Sequence, residues 1–235
     1  MSNAWPQPHR EAVARMFGAI ADRYDLMNRL MTFGQDQKWR RQAVDLTGVQ
    51  PGADCLDVAT GTGDLAFELA ARVLPGGSVA GVDLVEEMLI HARQKASERA
   101  LPVAFEQGDV ANLPYPDNSF DAVTCGFGLR NFEDRTAALI EMTRVVRPGC
   151  RVVILELTPP SNALAREYMD QVVPRLGQLI AGAREAYTYL PASVKQFPDA
   201  PELGRMLQEA GLRQVTYRLL NFGTIALHWG TKPRK

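Results

Sequence analysis

Charge imbalance, long hydrophobic runs and a secretory leader are all missing from this sequence of 235 residues. Its 26 basic and 27 acidic residues leave a formal net charge of -1, so bulk binding to a polyanion such as nucleic acid is not expected. No apolar run approaches the length of a membrane-spanning helix, and the N-terminus lacks a basic region followed by an apolar one. We therefore expect a cytoplasmic globular protein with a single domain over 1–235 and no nucleic-acid partner.

Cysteine and histidine are scarce, and their placement argues against two further kinds of site. The cysteines are odd in number, have no Cys-x-x-Cys spacing and fall in or beside apolar runs, which favours buried reduced thiols over disulfides. The histidines are scattered, so no metal site is expected. His228 lies in a predicted strand and is a candidate general base, although a histidine satisfied within the strand is favoured. These six residues are Cys55, Cys125, Cys150, His9, His91 and His228.

The segment that precedes the first predicted strand has a helical pattern. Apolar side chains recur every three or four residues from Val13 to Met31, which indicates an amphipathic helical region over 11–31. We expect this region to belong to an N-terminal helical extension over 10–45. The turn signal Pro51-Gly52 then introduces the first strand.

Strands and helices alternate through the centre of the chain. Alternation of this kind, with apolar strands, predicts a parallel sheet that is covered by helices on both faces. Strands are predicted near 54–59, 79–83, 103–107, 120–125 and 151–156, and helices near 64–74, 86–99 and 134–146.

The last third of the chain departs from this alternation. Residues 159–198 contain Pro159-Pro160 and an apolar stretch, which predicts a helical cap insertion. A helix near 200–210 is followed by strands near 214–219 and 224–231, whose short link forces an antiparallel pair. The predicted fold class is therefore α/β. It is a Rossmann-like, mostly parallel seven-stranded sheet with an antiparallel last strand, which is the class I S-adenosylmethionine-dependent methyltransferase fold.

The most informative motif is Asp57-Val58-Ala59-Thr60-Gly61-Thr62-Gly63-Asp64. It predicts a strand, a tight glycine turn and a helix that begins at Asp64, and the next strand ends at Asp83, twenty residues after Gly63. Glycines let the backbone approach a ligand, and an acid at the tip of the second strand can accept hydrogen bonds from ribose hydroxyls. The arrangement predicts a nucleotide-type site at the carboxyl ends of the strands.

The charges around this loop narrow the choice of ligand. A loop that binds pyrophosphate directs N–H groups at negative charge, yet Asp57 and Asp64 flank these glycines and no Gly-Lys-Ser/Thr follows them. A ligand with an ammonium and a sulfonium group but no phosphate suits acidic surroundings, so S-adenosyl-L-methionine is the predicted cofactor. Asp64 alone is also explained as a helix cap. A nicotinamide-dependent oxidoreductase and a catalytically idle cofactor-binding module are the alternatives from other classes.

Besides the glycine-loop block 57–64, the sequence contains two more motif blocks. They are Tyr24-Asp25-Leu26-Met27-Asn28 and Phe127-Gly128-Leu129-Arg130-Asn131. Together these blocks resemble the ubiquinone/menaquinone biosynthesis C-methyltransferase family. Many methyltransferases share the glycine loop, whereas the other two blocks are far more specific to this family. The resemblance covers residues 13–232. Further matching positions are Met16-Phe17, Ile20-Ala21, Phe33-Gly34, Trp39-Arg40, Arg147-Pro148-Gly149, Leu155-Glu156, Tyr189-Leu190, Ser193, Phe197-Pro198, Ala226-Leu227-His228 and Gly230.

The resemblance implies a set of cofactor-binding residues. Thr62 would face the methionine part of the cofactor, Asp83 would accept from both ribose hydroxyls, and Asp109 would accept from the adenine amino group. A loop cap is the alternative for Asp109. Gly126 stands where some members have a serine that contacts the cofactor. The predicted cofactor-binding residues are Asp57, Gly61, Thr62, Gly63, Asp83, Asp109, Val110 and Gly126.

The resemblance also implies the catalytic residues Tyr24, Arg130 and Asn131. Arg130 would stabilise a developing phenolate, Asn131 would orient a quinol oxygen, and Tyr24 would cover the methyl donor or bond to the ring. Two alternatives stay open. Arg130 is also interpretable as an ion-pair partner of Glu133 or Asp134, and Tyr24 as a core or lid aromatic.

The reaction implied by the resemblance is S-adenosylmethionine-dependent C-methylation of a prenylated quinol. The glycine-loop block favours the naphthoquinol of menaquinone biosynthesis, and the benzoquinol precursor of ubiquinone or another aromatic metabolite is the alternative. Because a prenyl tail resides in the bilayer, peripheral contact with the inner face of the cytoplasmic membrane is expected through the N-terminal helix or the apolar cap around 168–190. The other interpretation is that these faces pack in the core or in a homodimer.

Overall fold

A computed structural model of the chain describes residues 7–160 and 184–234. Within these two ranges, no helix is both long and apolar enough to cross a membrane. Short 3₁₀ helices lie at Ala21–Arg23, Val110–Asn112, Leu129–Asn131 and Asn221–Gly223. The α-helices are α1 (Gln7–Ile20), α2 (Tyr24–Thr32), α3 (Gln35–Thr47), α4 (Asp64–Val73), α5 (Glu86–Glu98), α6 (Arg135–Val145), α7 (Arg184–Gln196) and α8 (Ala200–Glu209). The strands are β1 (Asp54–Val58), β2 (Ser78–Asp83), β3 (Val103–Gln107), β4 (Phe120–Gly126), β5 (Val146–Leu157), β6 (Arg213–Leu220) and β7 (Ile225–Thr231).

The strands form one seven-stranded sheet in the order β3-β2-β1-β4-β5-β7-β6. Strands β1 to β5 pair in parallel, and β7 pairs antiparallel with both β5 and β6. The strand order changes direction between β1 and β4, and the helices that follow these two strands, α4 and α6, pack on opposite faces of the sheet, which leaves a crevice for ligands at the carboxyl ends. The predicted mixed sheet with an antiparallel end is confirmed.

Hydrophobic side chains cover both faces of this sheet. Helices α3, α4 and α5 pack on one face through residues such as Val44, Leu69 and Leu89. Helices α6 and α8 pack on the other face through residues such as Met142 and Leu207. Burial on both faces explains why the central strands are nearly continuous apolar runs in the sequence.

The helical region predicted over 11–31 is helical in the structure and consists of separate helices. Helix α1 ends at Ile20, a 3₁₀ turn follows, and α2 is closed by Phe33 and Gly34, whose φ angles of 51° and 73° are left-handed. A left-handed residue stops an α-helix, so α3 begins separately at Gln35. The 3₁₀ turn is too short to interrupt the apolar spacing, which is why the pattern did not reveal the break.

The predicted cap insertion over 159–198 lies partly outside the described residues, which exclude 161–183. Most of the predicted apolar segment around 168–190 is therefore not described. The described remainder contains α7, where Val194 packs against Met31 of α2 and Leu157 of β5. Helix α7 thus connects the N-terminal helices to the carboxyl end of β5.

The three cysteines are free thiols, as the sequence predicted. Cys55 and Cys125 are buried within the sheet, and Cys150 is half-buried. Burial raises the pKa of Cys55 to about 12, because a thiolate would lose its hydration there. These thiols are consequently protonated core residues.

Candidate active site

A cavity of about 410 Å³ opens at the carboxyl ends of β1, β2 and β4. Its wall consists of the loops that follow these strands, the loop after β3, and parts of α1 and α2. The volume is within the range of small-molecule sites, ~300–1,000 Å³. Asp57, Thr62, Gly63 and Arg130 do not line this cavity. The predicted site residues that do line it are Tyr24, Gly61, Asp83, Asp109, Val110, Gly126 and Asn131.

The glycine loop after β1 brings bare backbone to the cavity. Ala59, Gly61 and Gly63 have left-handed φ angles of 50°, 55° and 86°, so the chain turns sharply between β1 and α4. A Cβ on Gly63 would lie 2.8 Å from the ring of Phe105, which is too close for a side chain. Gly63 therefore permits the packing beneath the loop, while Gly61 leaves the cavity side of the loop uncovered.

Asp83, at the end of β2, fixes the glycine loop. Its Oδ2 accepts a hydrogen bond from the Gly61 N–H at 2.8 Å, and its Oδ1 accepts one from the Val85 N–H at 2.9 Å. Burial raises the pKa of the Asp83 carboxyl, and the backbone donors oppose that rise. A carboxylate has about four lone-pair positions. Asp83 therefore retains acceptor capacity for the hydroxyl groups of a ligand while it holds the loop.

Asp109 and Val110 form the part of the wall that follows β3. Asp109 caps the 3₁₀ helix Val110–Asn112, since its Oδ1 accepts from the Ala111 N–H at 2.9 Å. The loop-cap interpretation of Asp109 is therefore correct, and the residue also lines the cavity. Val110, which is buried, adds an apolar surface beside it.

Two glycines, one at the end of β4 and one in the loop after it, leave no room for side chains in the opposite wall. A Cβ on Gly126 would lie 3.1 Å from Leu65 Cδ2, and a Cβ on Gly128 would lie 2.3 Å from Ala59 Cβ. The loops after β1 and β4 thus approach each other too closely for side chains at these points. The cavity is shaped by backbone on both sides and has carboxylates at its edge, which fits a flat polar ligand such as an adenosine group.

Asp57 lies beneath the loop, which corrects its predicted contact with a cofactor. It is 1% exposed, and its two oxygens accept hydrogen bonds from Thr60 Oγ1 and Thr124 Oγ1, each at 2.7 Å. Burial raises the pKa of Asp57 to about 6, although the two hydroxyl donors lower it. Asp57 therefore connects β1 to the loop and to β4 and supports the site from below.

The other acid of the motif, Asp64, does not make the cavity acidic. Lys95 Nζ donates to Asp64 Oδ1 at 2.6 Å, to Asp25 Oδ2 at 2.7 Å and to Thr62 Oγ1 at 3.2 Å. Thr62 Oγ1 in turn donates to Asp25 Oδ1 at 2.5 Å. Burial raises the pKa of Asp64, but the charges of Arg40 and Lys95 together lower it below its usual range. The prediction that Asp64 makes the ligand's surroundings acidic is therefore wrong. The Thr62 hydroxyl faces this ionic cluster rather than the cavity.

Arg130 is buried next to the cavity, and the ion pair that was its alternative interpretation is formed with Glu156 rather than with Glu133 or Asp134. Its Nη1 donates to Glu156 Oε1 at 2.8 Å and to the Phe127 carbonyl oxygen at 2.6 Å. Burial lowers the pKa of the guanidinium, but the Glu156 charge raises it further, so Arg130 stays charged. Its predicted role on a phenolate is corrected to a structural one, since the ion pair holds the 3₁₀ helix after β4 against β5.

Asn131 and Tyr24 line the cavity, and each carries a polar group. Tyr189 donates its hydroxyl to Asn131 Oδ1 at 2.9 Å, which orients the amide and keeps its nitrogen as a donor. Tyr24 packs edge-to-face on Phe17, with ring centroids 6.0 Å apart. Burial raises the pKa of the Tyr24 hydroxyl, although Arg40 lowers it, so this hydroxyl is a neutral donor at pH 7.

His228 belongs to the core of the sheet rather than to the cavity. Its side chain is fully buried, its Nε2 donates to the Ala200 carbonyl oxygen at 2.9 Å, and its ring lies against Tyr217. Burial lowers the pKa of the imidazole, so the ring is neutral. The favoured interpretation as a strand histidine agrees with this placement, and a role as general base does not.

Arg40, Lys95, Glu156 and Tyr189 organise the site, and the sequence did not assign any of them a role. Each reaches the site from an element that is distant along the chain, so residue spacing cannot reveal the partner. Glu156 has one local signal, because it directly follows four apolar strand residues, 152–155. No group of three His, Cys, Asp or Glu side chains within the described ranges is arranged to hold a metal.

Comparison with known proteins identifies relatives along almost the whole chain. A family model described as the ubiE/COQ5 methyltransferase family matches residues 7–232. The chain is 48% identical over 230 residues to a demethylmenaquinone methyltransferase of Deinococcus radiodurans, covering 96% of this chain and 95% of that protein. It is 49% identical over 222 residues to a protein of the same name from Thermus thermophilus, covering 93% and 100%. A ubiquinone/menaquinone biosynthesis C-methyltransferase UbiE of Idiomarina loihiensis is 39% identical, with 95% and 91% covered.

Solved structures with low sequence identity share the fold. An S-adenosylmethionine-dependent methyltransferase from Aquifex aeolicus superimposes with a TM-score of 0.61 at 21% identity, covering 81% of this chain and 88% of that one. The [4+2]-cyclase SpnF superimposes with a TM-score of 0.67 at 19% identity, covering 85% and 81%. A cyclase on the same fold shows that this architecture alone does not specify the reaction.

Replacement of Glu156 by glutamine tests the structural role of its ion pair with Arg130. The variant leaves a buried guanidinium without its counter-charge, so we expect the free energy of unfolding in urea to fall by about 3–5 kcal/mol. Asp117→Asn is the matched control, because Asp117 pairs with Arg144 at the surface and its loss should cost about 1 kcal/mol or less. A loss below 1 kcal/mol in Glu156→Gln would contradict the structural role.

Proposed function

The chain belongs to the ubiE/COQ5 methyltransferase family, and from this premise we propose that it converts demethylmenaquinol to menaquinol with S-adenosyl-L-methionine as methyl donor. This is the last step of menaquinone biosynthesis. Its family and its full-length relatives make the chain a C-methyltransferase of quinone biosynthesis. Membership in a methyltransferase family makes the alternative of a nicotinamide-dependent oxidoreductase wrong.

The observation that supports this acceptor is the difference in identity between two groups of relatives. The two proteins named demethylmenaquinone methyltransferase are 48% and 49% identical to the chain, whereas those named UbiE are 39–40% identical. The UbiE name includes ubiquinone, so methylation of the benzoquinol precursor is the second candidate. The residues that line the cavity do not by themselves separate the two rings.

The cavity provides suitable groups for the methyl donor. Asp83 has acceptor capacity for the ribose hydroxyls, and Asp109 and Val110 stand where an adenine ring would meet one acceptor and one apolar surface. Gly61 and Gly126 leave room for close backbone contact. S-adenosylmethionine, when bound, supplies an electrophilic methyl group on its sulfonium.

The chain's contribution to the reaction is to orient the quinol and to favour its ionised form, which makes the ring carbon more nucleophilic. The Asn131 amide nitrogen and the Tyr24 hydroxyl are the neutral donors of the cavity wall that can bind a quinol oxygen. Arg130 supports this wall from behind, since its ion pair with Glu156 holds the 3₁₀ helix that carries Asn131. Tyr189 keeps the Asn131 amide in the required orientation.

A competition assay tests the acceptor. Labelled S-adenosylmethionine is supplied together with reduced demethylmenaquinone and the reduced demethylated benzoquinol precursor, and the products are separated by mass. We expect label on the naphthoquinol, because the relatives with that activity in their names are the more similar ones.

Label on the benzoquinol alone would overturn the proposed acceptor and favour the second candidate. Label on both would show an enzyme of two pathways. Label on neither, with S-adenosylmethionine binding intact, would contradict both acceptors and leave the methyltransferase fold as the only conclusion.

We also propose that α2 contacts the surface of the cytoplasmic membrane, where a prenylated quinol resides. Leu26, Leu30 and Phe33 are 58%, 45% and 83% exposed, and their spacing places them on one side of the helix. Arg29 lies on the same side and is exposed, as is Lys38 at the start of α3. An apolar stripe with basic neighbours suits an anionic lipid surface, and Tyr24 connects the same helix to the cavity.

Replacement of Phe33 by serine tests this contact by co-sedimentation with phosphatidylglycerol-containing vesicles. We expect wild-type protein to bind and the variant to bind at least about fivefold more weakly, because most of an exposed aromatic ring would be lost from the interface. Ile140→Ser is the matched control, because Ile140 is 49% exposed on α6, on the face of the sheet opposite to α3, α4 and α5. This variant should bind as wild type does. Equal binding by Phe33→Ser and wild type, or a dimer in light scattering that dissociates in Phe33→Ser, would contradict membrane docking.

A further inference from the structure

The N-terminal helices form one wall of the cavity, and their attachment to the rest of the protein is light. Val13, Ala14 and Phe17 of α1 and Tyr24 of α2 line the cavity. Their apolar contacts belong to small clusters that are separate from the two main cores. The free energy of local opening is lower for a segment with few buried contacts than for the core. Polar contacts therefore contribute a large share of what keeps this wall in place.

One side of α5 receives the N-terminal segment in register. Three residues spaced three or four apart along α5 meet three successive positions of the N-terminal segment, in the same order along both. Helix α5 and the segment over 21–25 therefore run side by side in the same direction. The first contact is apolar packing, the second brings His91 Nε2 within 3.1 Å of Asp22 Oδ1, and the third is the Lys95 ion pair. Ala21 shares an apolar cluster with Met88, Asp22 meets His91, and Asp25 meets Lys95.

Lys95 is the point at which this wall and the glycine loop are held together. Its three N–H groups have three acceptors, on Asp25 of α2, Thr62 of the loop and Asp64 of α4. The side chains of Lys95, Asp25 and Asp64 are only 17%, 29% and 15% exposed. Asp25 directly follows Tyr24, so the position of Asp25 sets the position of the aromatic ring in the wall.

Lys95 is the cation that both carboxylates of this cluster share. Its ammonium group donates to Asp25 and to Asp64, and Thr62 Oγ1 contacts both Asp25 and Lys95. Without that ammonium, two poorly hydrated carboxylates would face each other, and like charges repel strongly where water is partly excluded. Asp25 is the partner that can move away, because α2 is the less firmly packed element.

We propose that Lys95 is a positioning residue that clamps the N-terminal helices over the cavity and thereby sets how long S-adenosylmethionine stays bound. The identity of the ligand rests on the proposed function. Lys95 does not line the cavity, so its effect is indirect: the clamp holds Tyr24 and Phe17 as a wall through which the ligand would otherwise leave. Loss of the clamp should therefore speed dissociation while leaving association as fast or faster.

The test compares Lys95→Met, Lys95→Arg and Asp25→Asn with Arg72→Met as the matched control, since Arg72 pairs with Asp45 at the surface of α3 and α4. Amide hydrogen exchange is measured on the ligand-free proteins, and S-adenosylmethionine dissociation is measured by stopped flow. In Lys95→Met we expect exchange within residues 11–32 to be at least about tenfold faster, with β1 and β4 unchanged, and dissociation at least about tenfold faster. Lys95→Arg should retain most of the clamp, and Asp25→Asn added to Lys95→Met should slow the exchange again, because it removes the repulsion between the two carboxylates.

The exchange measurement needs no ligand, so the clamp and the proposed function are tested separately. Exchange over 11–32 that is unchanged in Lys95→Met would overturn the clamp whatever the protein binds. Faster exchange in β1 and β4 as well would indicate general destabilisation and would also overturn it. Dissociation within twofold of wild type would overturn the effect on residence time, whereas a wild-type protein that does not bind S-adenosylmethionine at all would contradict the proposed function instead.

Discussion

The hydrogen bond from the Gly61 N–H to Asp83 is the interaction on which the site depends most. It joins the loop after β1 to the end of β2, next to the crevice between β1 and β4. The loop can bend there because Ala59, Gly61 and Gly63 adopt left-handed conformations. Once the loop is fixed, α4 begins beneath it and the cavity wall has its shape. Asp83 is thus both a structural support and the acceptor most suited to ribose hydroxyls.

The acids of the site are stabilised in three different ways, and the differences separate their roles. Asp57 is buried under the loop and is held by two threonine hydroxyls. Asp83 is held by backbone N–H groups and keeps one side toward the cavity. Asp64 is neutralised by Lys95 outside the cavity. The glycine motif and the strand after it therefore supply three acids with different roles. Asp57 supports the loop, Asp83 is available to bind a ligand, and Asp64 helps to hold the N-terminal helices.

The alternation of apolar runs and turn signals was sufficient to predict every strand and the antiparallel end of the sheet, because both depend on local spacing and short links. The glycine motif with Asp83 likewise predicted the position of the cavity. The sequence did not predict which way individual side chains face. Thr62 and Arg130 have the expected chemistry, yet the first binds Asp25 and the second binds Glu156, partners that lie 37 and 26 residues away. Such pairings are set by packing between elements, which residue spacing along the chain does not encode.

Calorimetric titration of the wild-type protein and of Asp83→Ala tests most directly whether S-adenosylmethionine binds at Asp83. We predict that the variant binds at least about tenfold more weakly, a difference of about 1.4 kcal/mol, because the ribose would lose its acceptor and the loop its support. Asp117→Ala, which removes an aspartate remote from the cavity, should bind as wild type does. Equal affinity of Asp83→Ala and wild type would contradict the placement of the cofactor and with it the assignment of the cavity.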